Sequence, residues 1–279
     1  MNNGKNIFQV WFQGCDKIEK NEFKENVKNW KILNPGWNYH CLNDSDLRKF
    51  CYAYSNKCGL AYDKAQFMHA KIDLGKVVSI YLYGGIMIDM DMFILRSLDT
   101  FPPVKEFFKN SDKEDTLAVS KLNLNFIEHL VFSGNTESYN NAVILSTKNN
   151  KLLKIWIDKM VDAILSINEK YTNGGLYVHY TTGPKRFNTI FTSENLKLSK
   201  LITFDYTIFE PCETMGTSCN VTNDTLSLHK FELSWIPEQY KSITYIYFNY
   251  IRKYFPIILL SGGLIYIFRK QIFKNKIKT

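Results

Sequence analysis

The six cysteines of this 279-residue chain form no Cys-x-x-Cys pair. That excludes a zinc ribbon and a thioredoxin-type motif. Residues 1–5 are polar and the first apolar run, 7–12, is too short for a signal-peptide core, so no N-terminal signal peptide is expected. No internal repeat is visible. Nor is the chain poor in apolar residues: 45% hydrophobic and 15% aromatic content argues against disorder and is enough for a substantial core. Free thiols in a reducing, cytoplasmic compartment are the expectation, with Cys212 and Cys219 the nearest pair if a bridge forms.

Acidic residues are missing after Ile251, where seven basic ones gather: Arg252, Lys253, Arg269, Lys270, Lys274, Lys276 and Lys278. Taking those seven from the 35 basic residues leaves 28 against 27 acidic ones, so the formal charge of +8 belongs to the tail. A nearly neutral body gives no reason to expect a nucleic-acid partner.

What is present is most informative between residues 81 and 95. Asp89 and Asp91 stand inside an apolar segment just after Gly84 and Gly85. If this is a strand, its pleat puts Met87, Asp89, Asp91 and Phe93 on one face, so the acids point the same way. Buried carboxylates require a cation or a cluster of donors, and a divalent metal is the simplest partner. Asp44 and Asp46 have the same spacing in a polar run, where Asp or Ser would cap the following helix. Two acids side by side fit a metal better than a glycoside-cleaving pair, which needs one protonated and one ionised carboxyl across a substrate.

Along the chain, residues 7–12 read as a strand, 21–33 as a helix, 37–42 as a second strand and 46–54 as a short helix. That alternation is the signature of a parallel sheet with covering helices. A longer helix is expected over 63–82, with His69, Asp73 and Lys76 in one polar stripe that is either solvated or ends beside the acids. Strands are expected at 117–120, 129–132 and 142–146, and an amphipathic helix at 152–167. His229 and Trp235, taken alone, are more often packed structural residues.

The run 254–268 is free of charge, 15 residues long and flanked by basic pairs. It falls short of the roughly 20 residues of a bilayer crossing. It fits a membrane-inserted or surface-lying anchor first, then a buried helix or a partner-binding segment. The expected division is a domain over 1–240 and a hydrophobic, basic helical tail over 241–279.

The order of these features resembles the DXD-containing glycosyltransferases of family 32. That family tends to open on "I-H-Q-I-W-F-G", where this chain has Phe8-Gln9-Val10-Trp11-Phe12-Gln13-Gly14. It continues with "N-P-G-W-x-Y", here Asn34-Pro35-Gly36-Trp37-Asn38-Tyr39. Its core, "D-x-x-R-Y" followed by "L-Y-x-x-G-G-I-Y-x-D-x-D", is matched by Asp73 to Lys76 and by Leu82 to Asp91. Lys76 replaces the family Arg, Phe8 the opening His and Met87 the aromatic after Gly-Gly-Ile.

The resemblance implies an α/β fold of the GT-A type, a Rossmann-like mixed sheet with covering helices. It also implies retaining transfer of a sugar from a nucleoside-diphosphate donor to a glycan or protein hydroxyl. By the same resemblance Asp89 and Asp91 would hold a divalent cation, manganese before magnesium, with His229 completing its shell. Asp73 would join them in catalysis and bind donor hydroxyls. Trp11 would stack on the base, with Lys76, Gly84, Gly85, Asn141, Ser234 and Trp235 also at the donor. No residue identifies itself as a nucleophile on the opposite face of the sugar. The alternative is a membrane-tethered protein that binds glycan or nucleotide-sugar without turnover.

Overall fold

The computed structural model describes residues 4–232 apart from 112, 133–134, 172 and 213–217, together with 241–242, 245–247 and 252. Ser234, Trp235 and the run 254–268 lie outside the described residues, as does most of the expected tail. Two described residues of that tail meet the body: the Tyr247 hydroxyl donates to Glu128 (3.1 Å) and Arg252 pairs with the same carboxylate at 2.8 Å. Among the described residues no helix is long and apolar enough to cross a membrane.

The expected α/β class is the architecture observed. Eight strands are described: β1 (Asn6–Val10), β2 (Asn38–Leu42), β3 (Gly85–Ile88), β4 (Met92–Ile94), β5 (Thr116–Lys121), β6 (Tyr139–Ser146), β7 (Lys200–Phe204) and β8 (Ser227–His229). Six form one sheet in the order β2-β1-β3-β6-β5-β7, and β4 pairs with β8 in a separate ribbon. Within the sheet only β6 runs against its neighbours. The carboxyl ends of β1, β3 and β5 therefore share an edge with the start of β6.

Side-chain alternation feeds two cores. Phe8, Met87, Leu117, Val119 and Ile144 face one cluster, packed under α2 (Asp44–Tyr54), α3 (Asn56–Lys64), α4 (Met68–Tyr83) and α7 (Lys151–Ser166). Ile7, Ile86, Ile88, Ala118 and Leu145 face the other, which takes Trp30 of α1 (Asn21–Leu33) and Phe107 and Phe108 of α5 (Pro102–Asn110). Strands buried on both faces read as near-continuous apolar runs, as β3 and β6 do.

Three expectations are corrected. The helix expected over 63–82 is two helices, because the chain leaves the helical conformation at Ala65, Phe67 is extended and Gln66 is tied to the Glu169 carbonyl (2.8 Å). Residues 129–132 belong to a helix, α6 (Phe126–Phe132), not a strand. Asn125 and Glu128 exchange side-chain and backbone hydrogen bonds at its start, a capping box that outweighs the apolar run. The cysteines are not all free: Cys15 bridges Cys41 and Cys212 bridges Cys219, leaving Cys51 and Cys58 buried as thiols. Cys15 follows β1 and Cys41 lies on its neighbour β2, so sheet pairing brings together residues 26 positions apart.

At Asp44 and Asp46 the capping expectation holds in a modified form, since Asn43 is the cap and Asp46 closes the box. The glycine pair has a steric reason. Gly85 has φ +125, and a Cβ there would lie 2.5 Å from the Asn6 carbonyl oxygen on β1. Gly85→Ala is expected to cost on the order of 1–3 kcal/mol, read as a lower denaturation midpoint with an unchanged m-value.

Candidate active site

β3 stops at Ile88, and a turn carries the acids. The Asp89 carbonyl accepts from Met92 N–H (3.1 Å), while Asp89 N–H still donates to Ala142 on β6 (2.8 Å). The two carboxylates therefore converge through a turn and not through strand pleating. Buried polar side chains hold its backbone. Gln9 Nε2 donates to the Asp89 carbonyl (3.2 Å), and Asn26 Nδ2 donates to the carbonyls of Met90 (3.2 Å) and Met92 (2.9 Å). Trp30 Nε1 also donates to Met92 (3.0 Å). Asn26 lies on the buried stripe of α1 between Phe23 and Trp30, and a polar residue at such a position was the available signal.

Asp73 and Lys76 of the stripe on α4 are buried, and His69 is half-buried. The Lys76 ammonium donates to Asp89 Oδ1 (2.8 Å) and the Asn141 carbonyl (3.3 Å), and pairs with Asp73 Oδ1 (3.3 Å). Three partners occupy its three N–H groups. Lys76 thus binds the protein's own carboxylates. Asp73 Oδ2 accepts from the Thr182 hydroxyl (3.0 Å), which engages both of its oxygens.

On the other side, β8 lies against β4 with Met92 opposite His229. His229 Nε2 is 3.4 Å from Asp91 Oδ2, and its Nδ1 is 3.1 Å from Glu210 Oε2. Asp91 Oδ2 also accepts the Glu232 backbone N–H (2.9 Å). Asn140 Nδ2 donates to Glu210 Oε2. Glu210 and Asn140 were not expected from sequence. A glutamate between Phe209 and Pro211 in an apolar run was the one signal for the first.

Burial pushes the Asp89 carboxyl up to about 6, with the Lys76 ammonium pulling down and Asp91 pushing up. Since 33% of its side chain stays exposed, solvent softens that push. Burial also opposes ionisation of Asp91, but His229 and the Glu232 N–H outweigh it and hold Asp91 at about 2. For His229 burial favours the neutral ring, and Asp91 and Glu210 reverse this to about 10. Lys76 is likewise raised, burial being overcome by Asp89 and Asp73.

Around one end of the sheet, then, four carboxylates (Asp73, Asp89, Asp91 and Glu210) face one ammonium and one imidazole. An excess of at least two negative charges remains, and a divalent cation is the group that would neutralise it. Among the described residues no three His, Cys, Asp or Glu side chains are already gathered as a cage. The donor set fits a cation whose remaining ligands come from a bound anion.

The matching region of the sequence coincides with this geometry. Residues 20–108 match the family model of the glycosyltransferase sugar-binding region containing a DXD motif. The matched residues run from the start of α1 into α5 and include Asp73, Lys76, Asp89 and Asp91. Among solved structures, the PaToxG glycosyltransferase is similar at 17% identity and TM-score 0.46, over 68% of this chain and 69% of that one. The UDP-bound glycosyltransferase domain of the YGT toxin is similar at 9% and 0.46, over 72% and 79%. The catalytic domain of alpha-toxin from Clostridium novyi is similar at 9% and 0.44, over 92% and 82%. No curated protein matches.

Of the residues expected in the sugar-binding site, the structure brings together Asp73, Lys76, Asn141, Asp89, Asp91 and His229. Trp11 follows β1 at the same end, half-buried in a cluster with Phe23, Phe93 and Met90, the residue between the two acids. Gly84 and Gly85 lie at the opposite end of β3 from Asp89, about 13 Å away by strand rise, where they shape the entry to the strand.

Proposed function

We propose that this protein is a metal-dependent glycosyltransferase, of the family-32 kind, that moves a sugar from a nucleoside-diphosphate donor to a glycan or protein hydroxyl with retention of configuration. The observation that carries this reading is the convergence of Asp89 and Asp91, inside the matched region, with a surplus of partly buried negative charge at the carboxyl ends of β1 and β3. Asp89 and Asp91 would hold a divalent cation, manganese for preference, with Nε2 of His229 beside them. The cation would supply charge stabilisation for the departing diphosphate.

The chain's own residues have separable tasks. Lys76 partly offsets the burial that opposes ionisation of Asp89, and pairs with Asp73. Gln9, Asn26 and Trp30 fix the turn, so the acids need no rearrangement when the donor binds. Thr182 and Asp73 offer a hydroxyl and a carboxylate that can exchange their mutual bond for donor hydroxyls. Trp11 offers a ring to the base.

Stacking on a base contributes about 1–3 kcal/mol. Trp11→Ala should therefore raise the donor KM roughly 10- to 100-fold, with kcat changed far less. Initial rates of nucleoside-diphosphate release across a donor titration measure this directly. An unchanged KM removes Trp11 from the donor site.

A further inference from the structure

We infer that Glu210, oriented by Asn140, is a positioning residue that presents Nε2 of His229 to a divalent cation at the acid pair. This rests on the metal-dependent reading above and goes beyond it in assigning how the imidazole is aimed.

Glu210 is almost wholly enclosed, with 3% of its side chain exposed. Its Oε2 receives both His229 Nδ1 and Asn140 Nδ2, while Oε1 is buried with no partner among the described residues. A carboxylate left half-satisfied in the interior is costly. It offers no surface to solvent, so its worth must lie in what Oε2 holds.

Once a cation takes the place of the Nε2 proton, an imidazole whose Nδ1–H is donated to a carboxylate is fixed in one tautomer, with its Nε2 lone pair pointing the other way. Proteins use this arrangement to orient histidines that bind metals. Here Nε2 points at Asp91 Oδ2 across 3.4 Å. That is long for a charge-assisted hydrogen bond, which runs about 2.7–2.9 Å. It lies within a few tenths of an ångström of the roughly 3.0 Å between right-angle ligands that sit about 2.1 Å from one cation.

The ring is also held mechanically. Phe231 stacks on it with centroids 3.8 Å apart and planes 25° apart. Phe231 does so from a left-handed backbone conformation, φ +51, that a bulky residue rarely adopts. Glu210 at one edge, Phe231 on one face and the β4–β8 pairing beneath leave His229 a single aim.

The test uses the full chain with Mn2+ as probe, measuring its affinity by titration and its nitrogen ligation by pulsed EPR. Wild type should bind one Mn2+ with an imidazole nitrogen coupling, and His229→Ala should abolish that coupling. Glu210→Ala should weaken Mn2+ binding about 10- to 100-fold and diminish the coupling. Glu210→Gln keeps an oxygen for Nδ1–H, so it should retain the coupling and weaken binding less. It carries the test if the alanine variant fails to fold. Wild-type Mn2+ affinity and coupling in a folded Glu210 variant, with His229→Ala still defective, overturn the role of Glu210 alone. Absence of Mn2+ binding by the wild type overturns it together with the metal-dependent reading.

Discussion

Replacing Asp89 or Asp91 with Asn should lower the rate of donor consumption about 10²- to 10³-fold, the usual loss when one element of charge stabilisation is removed. Asn has nearly the same shape and hydrogen-bonds well, but it carries no charge for a cation. The two variants should differ in stability. In Asp89→Asn the Lys76 ammonium keeps Asp73 and the Asn141 carbonyl. In Asp91→Asn the imidazole keeps Glu210 but loses its second carboxylate. The chain supplies its own control, since Asp46→Ala breaks only the capping box of α2. That variant should lose about 1 kcal/mol of stability and none of the turnover. Equal rates in wild type, Asp89→Asn and Asp91→Asn would remove the acids from the chemistry.

Lys76→Met is expected to be the most destabilising substitution in the site. Lys76 is 2% exposed and lies between Asp73 and Asp89. Removing one partner of a buried ion pair costs about 3–5 kcal/mol because the other charge is stranded. For a domain of this size that lowers Tm by roughly 10 °C. The pH dependence has a definite sign. In the wild type Asp89 is raised to about 6 even with Lys76 beside it. Without the ammonium it must rise further, so lowering the pH protonates the stranded carboxyl. The deficit should therefore be largest above neutrality, shrink as pH falls towards about 6 and level off below it, where the carboxyl is protonated in both proteins. Thermal melts of both proteins between pH 5 and about 8, the range over which this carboxyl titrates, check it. A deficit independent of pH would mean that Lys76 acts through packing alone.

Much of this arrangement was legible in the residues, and the remainder was hidden for identifiable reasons. Local signals located α1 and α7 closely, because 3.6-residue periodicity and the Asn34-Pro35-Gly36 stop act within a few positions. The acids were recognisable from their apolar surroundings. Their convergence was expected from a pleat, whereas the chain turns at Asp89, and that turn depends on Asn26 and Trp30 more than 60 residues upstream. The α4 stripe could be read as solvated or as ending beside the acids. Only the packing of that helix onto β1 and β3 decides it, bringing Lys76 to Asp89. Glu210 could not be given partners from the sequence, because Asn140 and His229 lie on β6 and β8, strands of two separate sheets. The Cys15–Cys41 bridge likewise follows from strand adjacency and not from spacing.

The central claim is that the acid pair holds a cation which in turn holds a nucleotide sugar. Calorimetric titration of the purified chain with a panel of nucleoside-diphosphate sugars, with Mn2+ and then with EDTA, tests it most directly. Saturable binding of at least one donor is expected with Mn2+, lost with EDTA and lost in Asp89→Asn. No binding of any donor by a folded wild-type protein, or binding equally tight with EDTA, would contradict it.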